Sequence, residues 1–179
     1  MPDSRIPKPE VGEHDAYFST YIDRVKEGDL IGHLRNQAGE LTELCGDLSE
    51  ADGEFRYAPD KWSIKDVLGH LIDTERVFVF RGLWFARGES TELPGFDQDE
   101  FVRRAGFDQR SVESLVSEFA HVRQSTIDLL DNLRQAEWER SGISNEASLS
   151  VRAIGYILVG HVVHHLQVLR ERYLIPLRQ

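Results

Sequence analysis

Apolar residues recur with the period of an α-helix over four long stretches, and no other feature of this sequence constrains its fold as strongly. In each stretch the apolar side chains fall on one helical face, with polar side chains opposite. Serines that can cap a helix precede the last three stretches, and Gly88 and Pro176 lie where the second and fourth would end. We therefore predict helices over residues 29–48, 63–87 and 111–133, and from Ser148 or Ser150 to residue 173.

Four long amphipathic helices fold most economically as an all-α four-helix bundle. Alternating apolar strands with hairpin turns are not evident, and residues 137–147 are expected to be a polar connection. A shorter helix is expected over residues 14–25. Three prolines near the N-terminus indicate an extended segment over residues 1–13, which leaves residues 14–179 as a single domain.

The connection after Gly88 is longer than a simple link between two helices requires. It includes the sequence LPGFDQDEFV at residues 93–102, which mixes proline, glycine and aromatic residues. Connections of this length in compact domains are usually functional. Phe96 and Phe101 offer apolar walls and Asp97 a polar contact, so we expect these three residues to line a small-molecule pocket.

Composition excludes several classes of partner. The chain has 31 acidic and 21 basic residues, and its net charge of −10 repels a phosphate backbone, so no nucleic acid is expected as a partner. No apolar run approaches the ~20 residues of a membrane-spanning helix, and no signal peptide is evident. The single cysteine, Cys45, suits a reducing compartment. We expect a cytoplasmic protein that does not bind membranes.

Two histidines of the fourth predicted helix carry the main chemical signal. His161 and His165 are four residues apart, so their side chains project from one face and can reach the same metal ion. Leu158 and Val168 share that face, which therefore points into the bundle. His164 is offset by ~100° and is interpreted as a polar partner of the ligands rather than a ligand.

A catalytic metal site usually has three protein ligands and an open position. His70, on the apolar face of the second predicted helix, is the best third candidate. Asp73 lies about one turn beyond it and is expected to orient its imidazole, as carboxylates often do for ligating histidines.

Other metal motifs do not fit. Val162 stands where the zinc-peptidase motif HExxH has its glutamate, and Glu-x-x-His pairs of di-iron bundles are missing. Two alternatives to a catalytic metal stay open on the residues alone. The histidines could form a polar interior network without metal, or could hold a metal that only joins two helices.

Three segments of the chain resemble the DinB-like superfamily. They are the runs KWSIKDVLGHLIDTERVFVFRGLWFARGE, LPGFDQDEFV and GHVVHHLQVLRERY, and the resemblance spans about residues 29–173. It implies a four-helix bundle with a long crossover connection. It also implies a divalent metal held by one histidine of the second helix and two of the fourth, which are His70, His161 and His165 here. The resemblance implies no DNA chemistry.

Members of that superfamily include thiol-dependent transferases and isomerases that use bacillithiol or mycothiol, and many are described as metal-dependent hydrolases. We therefore expect a metal-dependent enzyme, a hydrolase or a thiol S-transferase, that acts on a small molecule and in the second case uses a low-molecular-weight thiol. Imidazole ligands suit several divalent ions, among which we expect Zn or Ni. No catalytic side chain is evident. The alternative is a non-catalytic metal- or ligand-binding module.

The second predicted helix carries more aromatic residues than one buried face can hold, at Phe78, Phe80, Trp84 and Phe85. A surface of this kind is commonly buried between two copies of a chain, so we expect a homodimer.

Overall fold

The computed structural model of the protein describes residues 6–177. In chain order its helices are α1 (Ser19–Ile22), α2 (Leu30–Cys45), α3 (Glu50–Gly53), α4 (Ile64–Ala86), α5 (Gln98–Ala105), α6 (Val112–Leu130), α7 (Gln135–Trp138), α8 (Val151–Val168) and α9 (Ile175–Leu177). Short 3₁₀ turns cover Ala16–Phe18 and Phe107–Gln109, and a π-helical turn, Leu169–Leu174, follows α8. Strands β1 (Ser141–Ser144) and β2 (Ala147–Ser150) form a hairpin. The long helices α2, α4, α6 and α8 form the predicted four-helix bundle.

Side-chain caps fix where the long helices begin. The Ser63 hydroxyl accepts a hydrogen bond from the Asp66 amide at 3.1 Å, and the Asp66 carboxylate accepts one from the Ser63 amide at 3.0 Å. This reciprocal pair satisfies two amides that a helix N-terminus would otherwise leave free. Ser111 caps α6, and Ser150 rather than Ser148 caps α8. The starts predicted from these serines are confirmed.

The long crossover connects α4 to α6. Glu50 accepts a hydrogen bond from the Val112 amide at 3.1 Å and pairs with Lys65 Nζ at 2.9 Å. Val112 and Lys65 lie in the first turns of α6 and α4, so the two helices begin at the same end of the bundle and run parallel. The chain must therefore return along the bundle after α4. It does so through residues 87–111, which include α5.

The helices α4 and α8 run antiparallel. His70 near the start of α4 meets His161 late in α8, whereas Gly82 near the end of α4 faces Ile154 near the start of α8. Both α2 and α4 pack against α6 and α8, so α2 and α4 are diagonal to one another. The antiparallel pairing brings together two histidines that are 91 residues apart in the chain.

A buried polar network lies in the centre of the bundle. The Arg123 guanidinium donates from Nε and Nη2 to Glu75 Oε2 at 3.1 and 2.6 Å, and from Nη1 to Gln37 Oε1 at 2.7 Å. Gln37 Nε2 donates in turn to the Val159 carbonyl at 2.8 Å, and the Thr126 hydroxyl donates to Glu75 Oε1 at 2.7 Å. These residues come from all four long helices, so one connected set of hydrogen bonds links them.

The hairpin replaces the polar connection that the sequence pattern predicts for residues 137–147. Its turn residues Asn145 and Glu146 have φ values of +53° and +65°. A hairpin turn with two positive φ values usually has glycine at its second position, so an Asn-Glu turn carries little sequence signal. The Leu93 amide donates to the Ile143 carbonyl at 3.0 Å. The crossover therefore pairs with the hairpin.

Residues 6–13 lie against the start of α8. Ile6 is buried, and its carbonyl accepts a hydrogen bond from the Tyr156 hydroxyl at 2.7 Å. Glu13 pairs with Arg152 and accepts a hydrogen bond from the Ser150 hydroxyl. Hydrogen bonds from Arg152, above all, lower the pKa of Glu13 to about 2. The segment expected to be extended, residues 1–13, has no helix or strand from residue 6 onward, and residues 1–5 lie outside the described residues.

The aromatic face of α4 is only partly buried. Phe78 and Phe85 are in the core, whereas Phe80 is 50 % exposed, with its ring 5.6 Å from that of Trp84. Dimerisation through this face stays a prediction. Over residues 6–177, no helix combines the length and apolar character that crossing a bilayer requires.

We expect Arg123→Met to lower the free energy of unfolding by about 3–5 kcal/mol, because it leaves the buried Glu75 carboxylate without its partner. Urea denaturation measures the loss. The matched control is Arg35→Met, which removes an exposed pair with Asp131 that also joins α2 to α6, and its cost should not exceed about 1 kcal/mol. The double variant Glu75→Gln, Arg123→Met should lose less than Arg123→Met alone. Equal losses for Arg123→Met and Arg35→Met would contradict this account.

Candidate metal centre

Three buried histidines meet where α4 and α8 face one another. His161 Nε2 lies 2.9 Å from His70 Nε2 and 3.1 Å from His165 Nε2. None of the three residues is more than 8 % exposed. The i,i+4 spacing aligns His161 with His165 on α8, and the antiparallel packing supplies His70 from α4. The structure therefore brings together the three histidines expected to be ligands.

The spacing of these nitrogens fits an ion. With metal–nitrogen bonds of ~2.0–2.1 Å, adjacent nitrogens lie ~2.9 Å apart at a right angle and ~3.4 Å apart at a tetrahedral angle. The observed 2.9 and 3.1 Å fall in that range. Hydrogen bonds alone do not satisfy the cluster, because an imidazole nitrogen either donates one proton or accepts at one lone pair. His161 Nε2 therefore cannot bond well to both neighbours, whereas a metal ion binds all three nitrogens.

Burial keeps these imidazoles neutral. Desolvation is the first cause that lowers the pKa of His70 to about 4, and it holds the pKa values of His161 and His165 well below their usual range. Repulsion between the closely spaced rings acts in the same direction. Neutral imidazole is the form that binds a metal. The electrostatics of the cluster therefore suit metal ligands at neutral pH.

The expected partner of His70, Asp73, does not contact it. The Thr74 hydroxyl instead lies 3.3 Å from His70 Nδ1, and the nearest cation to Asp73 is Arg76 at 3.9 Å. Helix geometry explains the difference. Thr74 is four residues after His70 and is rotated from it by ~40° around the helix axis, whereas Asp73 is three residues after His70 and is rotated by ~60° in the opposite direction. Among the described residues, His165 Nδ1 is buried with no hydrogen-bond partner.

His164 borders the cluster without joining it. Its ring is half-buried, 4.9 Å from that of His165 and 5.8 Å from that of Tyr21. The Tyr21 ring also lies 5.3 Å from that of His161. A side chain at Gly160 would clash with the backbone of Tyr21. The glycine therefore lets the segment around α1 lie directly on α8 beside the histidines.

A cavity of about 350 Å³ opens beside the cluster. Its walls come from residues 15–21, from α4 and α8, from the crossover and from the hairpin, and they include Tyr21, Thr74, Arg81, Phe96, Ser144 and His161. The volume is that of a small-molecule site. Sequence reasoning missed the walls formed by residues 15–21 and by the hairpin, since neither segment carries a motif.

Of the three residues expected to line a pocket, only Phe96 lines this cavity. Asp97 Oδ1 accepts hydrogen bonds from the Asp99 and Glu100 amides and caps α5. Phe101 is 43 % exposed and packs its ring 5.0 Å from that of Phe96. Asp97 and Phe101 line a second depression on the surface, which shares Gly95 and Phe96 with the cavity.

The fold and the cluster together define a four-helix-bundle protein with a three-histidine candidate metal centre. A model of the DinB superfamily matches residues 33–169, so the chain belongs to that superfamily. Among solved structures it is similar to YfiT from Bacillus subtilis, described as a probable metal-dependent hydrolase with an unusual four-helix bundle topology. The TM-score is 0.73 at 15 % identity, over 79 % of this chain and 82 % of YfiT, which supports the fold. A comparison with curated proteins found no match.

In metal-free protein, we expect the free energy of unfolding to fall as the pH is lowered from about 6.5 to about 4. Unfolded His70 takes up a proton over this interval and folded His70, with its pKa of about 4, does not. The unfolded state therefore binds more protons, and His70 alone contributes a loss of about 3 kcal/mol. Urea denaturation across this pH range measures it.

The control for this pH dependence is His70→Gln, which should show a smaller loss between these pH values. Carboxylates such as Glu13 and Glu137, whose pKa values are lowered from 4.5 to about 2, lose their contribution mainly between those two values, and they do so in both proteins. The same pH dependence in both proteins would show that His70 does not exclude the proton.

Proposed function

We propose that this protein is a metal-dependent hydrolase of a small molecule, with a divalent ion held by His70, His161 and His165. The observation that supports the proposal is the convergence of three Nε2 atoms beside a cavity that His161 lines. Zn and Ni are the ions we favour, since imidazole suits both. Membership of the DinB superfamily and the description of YfiT agree with this proposal.

A divalent ion with three neutral ligands keeps its full charge and lowers the pKa of a bound water or thiol. Hydrolysis and thiol transfer therefore differ only in the nucleophile that enters. The one cysteine, Cys45, is buried at the end of α2 and does not line the cavity. Thiol-dependent transfer, the alternative reaction, would need a low-molecular-weight thiol from solution.

The chain's own residues would bind and orient the substrate. The Tyr17 and Tyr21 hydroxyls lie 3.2 Å apart, and both residues line the cavity. Burial raises the pKa of Tyr21, so its phenol stays protonated and can donate a hydrogen bond to a substrate oxygen. Thr74 holds the ring of His70 through Nδ1. Phe18, Phe78 and Leu149 supply apolar walls.

A non-catalytic metal-binding module is the second candidate. Burial of all three histidines favours it, because structural metal sites are closed whereas catalytic ones keep an open position. The cavity beside His161 favours the enzyme. The two candidates differ in one observable, namely whether a small ligand from solution can reach the ion.

Protein purified without chelator should contain close to one divalent ion per chain, and His161→Ala, His165→Ala should contain none. Both substitutions remove nitrogens of the convergent set. The matched control is His164→Ala on the same helix, which should keep its metal because His164 lies outside that set. Elemental analysis gives the metal content. Equal content in the double variant and the wild type would reject the site.

Metal-loaded protein should hydrolyse an activated ester or catalyse the transfer of a low-molecular-weight thiol to an electrophile. Chelation should lower the rate by at least ~100-fold, since disturbing even the outer partners of a metal ligand costs ~10–100-fold. His70→Ala should do the same, and adding the ion back should restore only the wild type. A rate that survives removal of the metal would leave the non-catalytic module as the better account.

A further inference from the structure

Arg81 is a buried cation without an anionic partner. It is 5 % exposed, and its Nη2 donates to the Pro94 carbonyl at 2.9 Å. Within residues 6–177 no carboxylate oxygen lies within 4 Å of its guanidinium, whereas the other buried cations, Arg123 and Lys65, are both paired with glutamates. A guanidinium has five N–H donors, so most of those on Arg81 are unused. Burial accordingly lowers the pKa of Arg81.

The unused donors belong to a side chain that lines the same cavity as His161. Arg81 Cζ lies 5.0 Å from the ring centroid of Phe78 and 5.7 Å from that of Phe96, and both rings line the cavity too. Cation–π contacts with the two rings and the hydrogen bond to Pro94 hold the guanidinium in place. The position of the charge is therefore fixed before any ligand arrives.

A second polar group in the cavity is also unsatisfied. Ser144 is 6 % exposed, lines the cavity from the hairpin, and its buried hydroxyl has no hydrogen-bond partner among the described residues. A buried polar atom without a partner costs about 1–3 kcal/mol, and rotation of the Ser144 side chain toward the cavity would let a ligand supply that partner. Among the described residues that line the cavity, the one acidic residue is Asp15, which is exposed and whose carboxylate accepts a hydrogen bond from the Tyr17 amide.

We propose that Arg81 and the Ser144 hydroxyl bind a carboxylate of the substrate, at the end of the cavity away from the three histidines. The inference rests on the proposed function only in placing the reacting bond of the substrate at the three histidines. Arginine binds carboxylates through two parallel hydrogen bonds, and the anion offsets the cost of burying the cation. One guanidinium and one hydroxyl match a singly charged carboxylate better than a phosphate, which would need more donors.

Helix geometry sets the size of such a substrate. Helical side chains lean toward the N-terminus, so the Arg81 guanidinium lies over Phe78, two turns beyond His70. At 1.5 Å per residue this separates the guanidinium from the histidines by on the order of 10 Å. The substrate class is therefore a hydrophobic carboxylic acid whose reacting bond lies several atoms from the carboxylate.

Calorimetric titration of the metal-loaded protein tests the inference, with 3-phenylpropanoate and its neutral amide, 3-phenylpropanamide, as the ligands. The acid should bind more tightly than the amide. Arg81→Gln should lower the affinity for the acid by ~10–100-fold and leave the affinity for the amide unchanged, as expected for loss of charged hydrogen bonds. The matched control is Arg76→Gln, on an exposed position of the same helix that pairs with Glu118, and it should bind both probes as the wild type does.

Further variants separate this inference from the metal proposal. Acid binding that is lost in His161→Ala, His165→Ala and kept in Arg81→Gln would show that the carboxylate binds the ion, which overturns the inference and leaves the metal centre standing. Acid binding that depends on Arg81 in protein without any metal would support the inference while the proposed function fails.

Two milder variants keep the test decisive if Arg81→Gln does not fold. Ser144→Ala should lower the affinity for the acid by ~3–10-fold without changing the affinity for the amide, because it removes one hydrogen bond to the carboxylate. Arg81→Lys keeps the charge and should bind the acid less tightly than the wild type, since it cannot form two parallel bonds. Wild-type affinity for the acid in both would mean that Arg81 only holds the Pro94 carbonyl.

Discussion

One buried guanidinium, that of Arg123, determines how the four long helices fit together. It binds Glu75 on α4 and Gln37 on α2, and Gln37 passes the connection on to the Val159 carbonyl of α8. Val159 is two residues before His161, and Glu75 follows Thr74, which contacts His70. The network therefore fixes the relative positions of the two helices that carry the histidines. Apolar packing tolerates small shifts, whereas a buried ion pair fixes one arrangement, since any shift would leave a charge unpaired.

The same network makes a cationic site possible beside a buried arginine. Desolvation is the first cause that holds the pKa of His161 far below its usual range, and repulsion from Arg123 and from any neighbouring ring that is itself protonated acts in the same direction. A divalent ion would be repelled by Arg123, whereas the neutral imidazoles would attract it through their lone pairs. Three nitrogen lone pairs, none of which carries a proton, would stabilise the bound ion. The Glu75 carboxylate offsets the charge of Arg123, with Glu75 Oε2 2.6 Å from Arg123 Nη2. Neutral ligands and a paired arginine together suit an ion that keeps its charge for chemistry.

The sequence predicts the parts of this protein that depend on local rules. Helical periodicity gives the long helices, the capping pair of Ser63 and Asp66 gives the start of α4, and the i,i+4 spacing aligns His161 with His165. Prediction from the sequence fails where a shift of one residue along a helix decides a contact: Thr74 contacts His70, where Asp73 was expected. It fails again where long-range pairing overrides weak local preference. The Asn-Glu turn of the hairpin, which pairs with Leu93, and the packing of Tyr21 on His161 both depend on segments far away in the chain.

This division has a functional consequence. The histidines stand on two long helices whose positions are fixed by periodicity, by caps and by the central ion pair. The cavity walls come from residues 15–21, the crossover and the hairpin, where pairing such as that of Leu93 with Ile143 holds segments of low intrinsic preference. Arg81 joins these two parts, because it grows from α4 and bonds the crossover at Pro94. The helical pattern can therefore identify the three histidines, whereas the cavity walls come from connections that carry no such pattern.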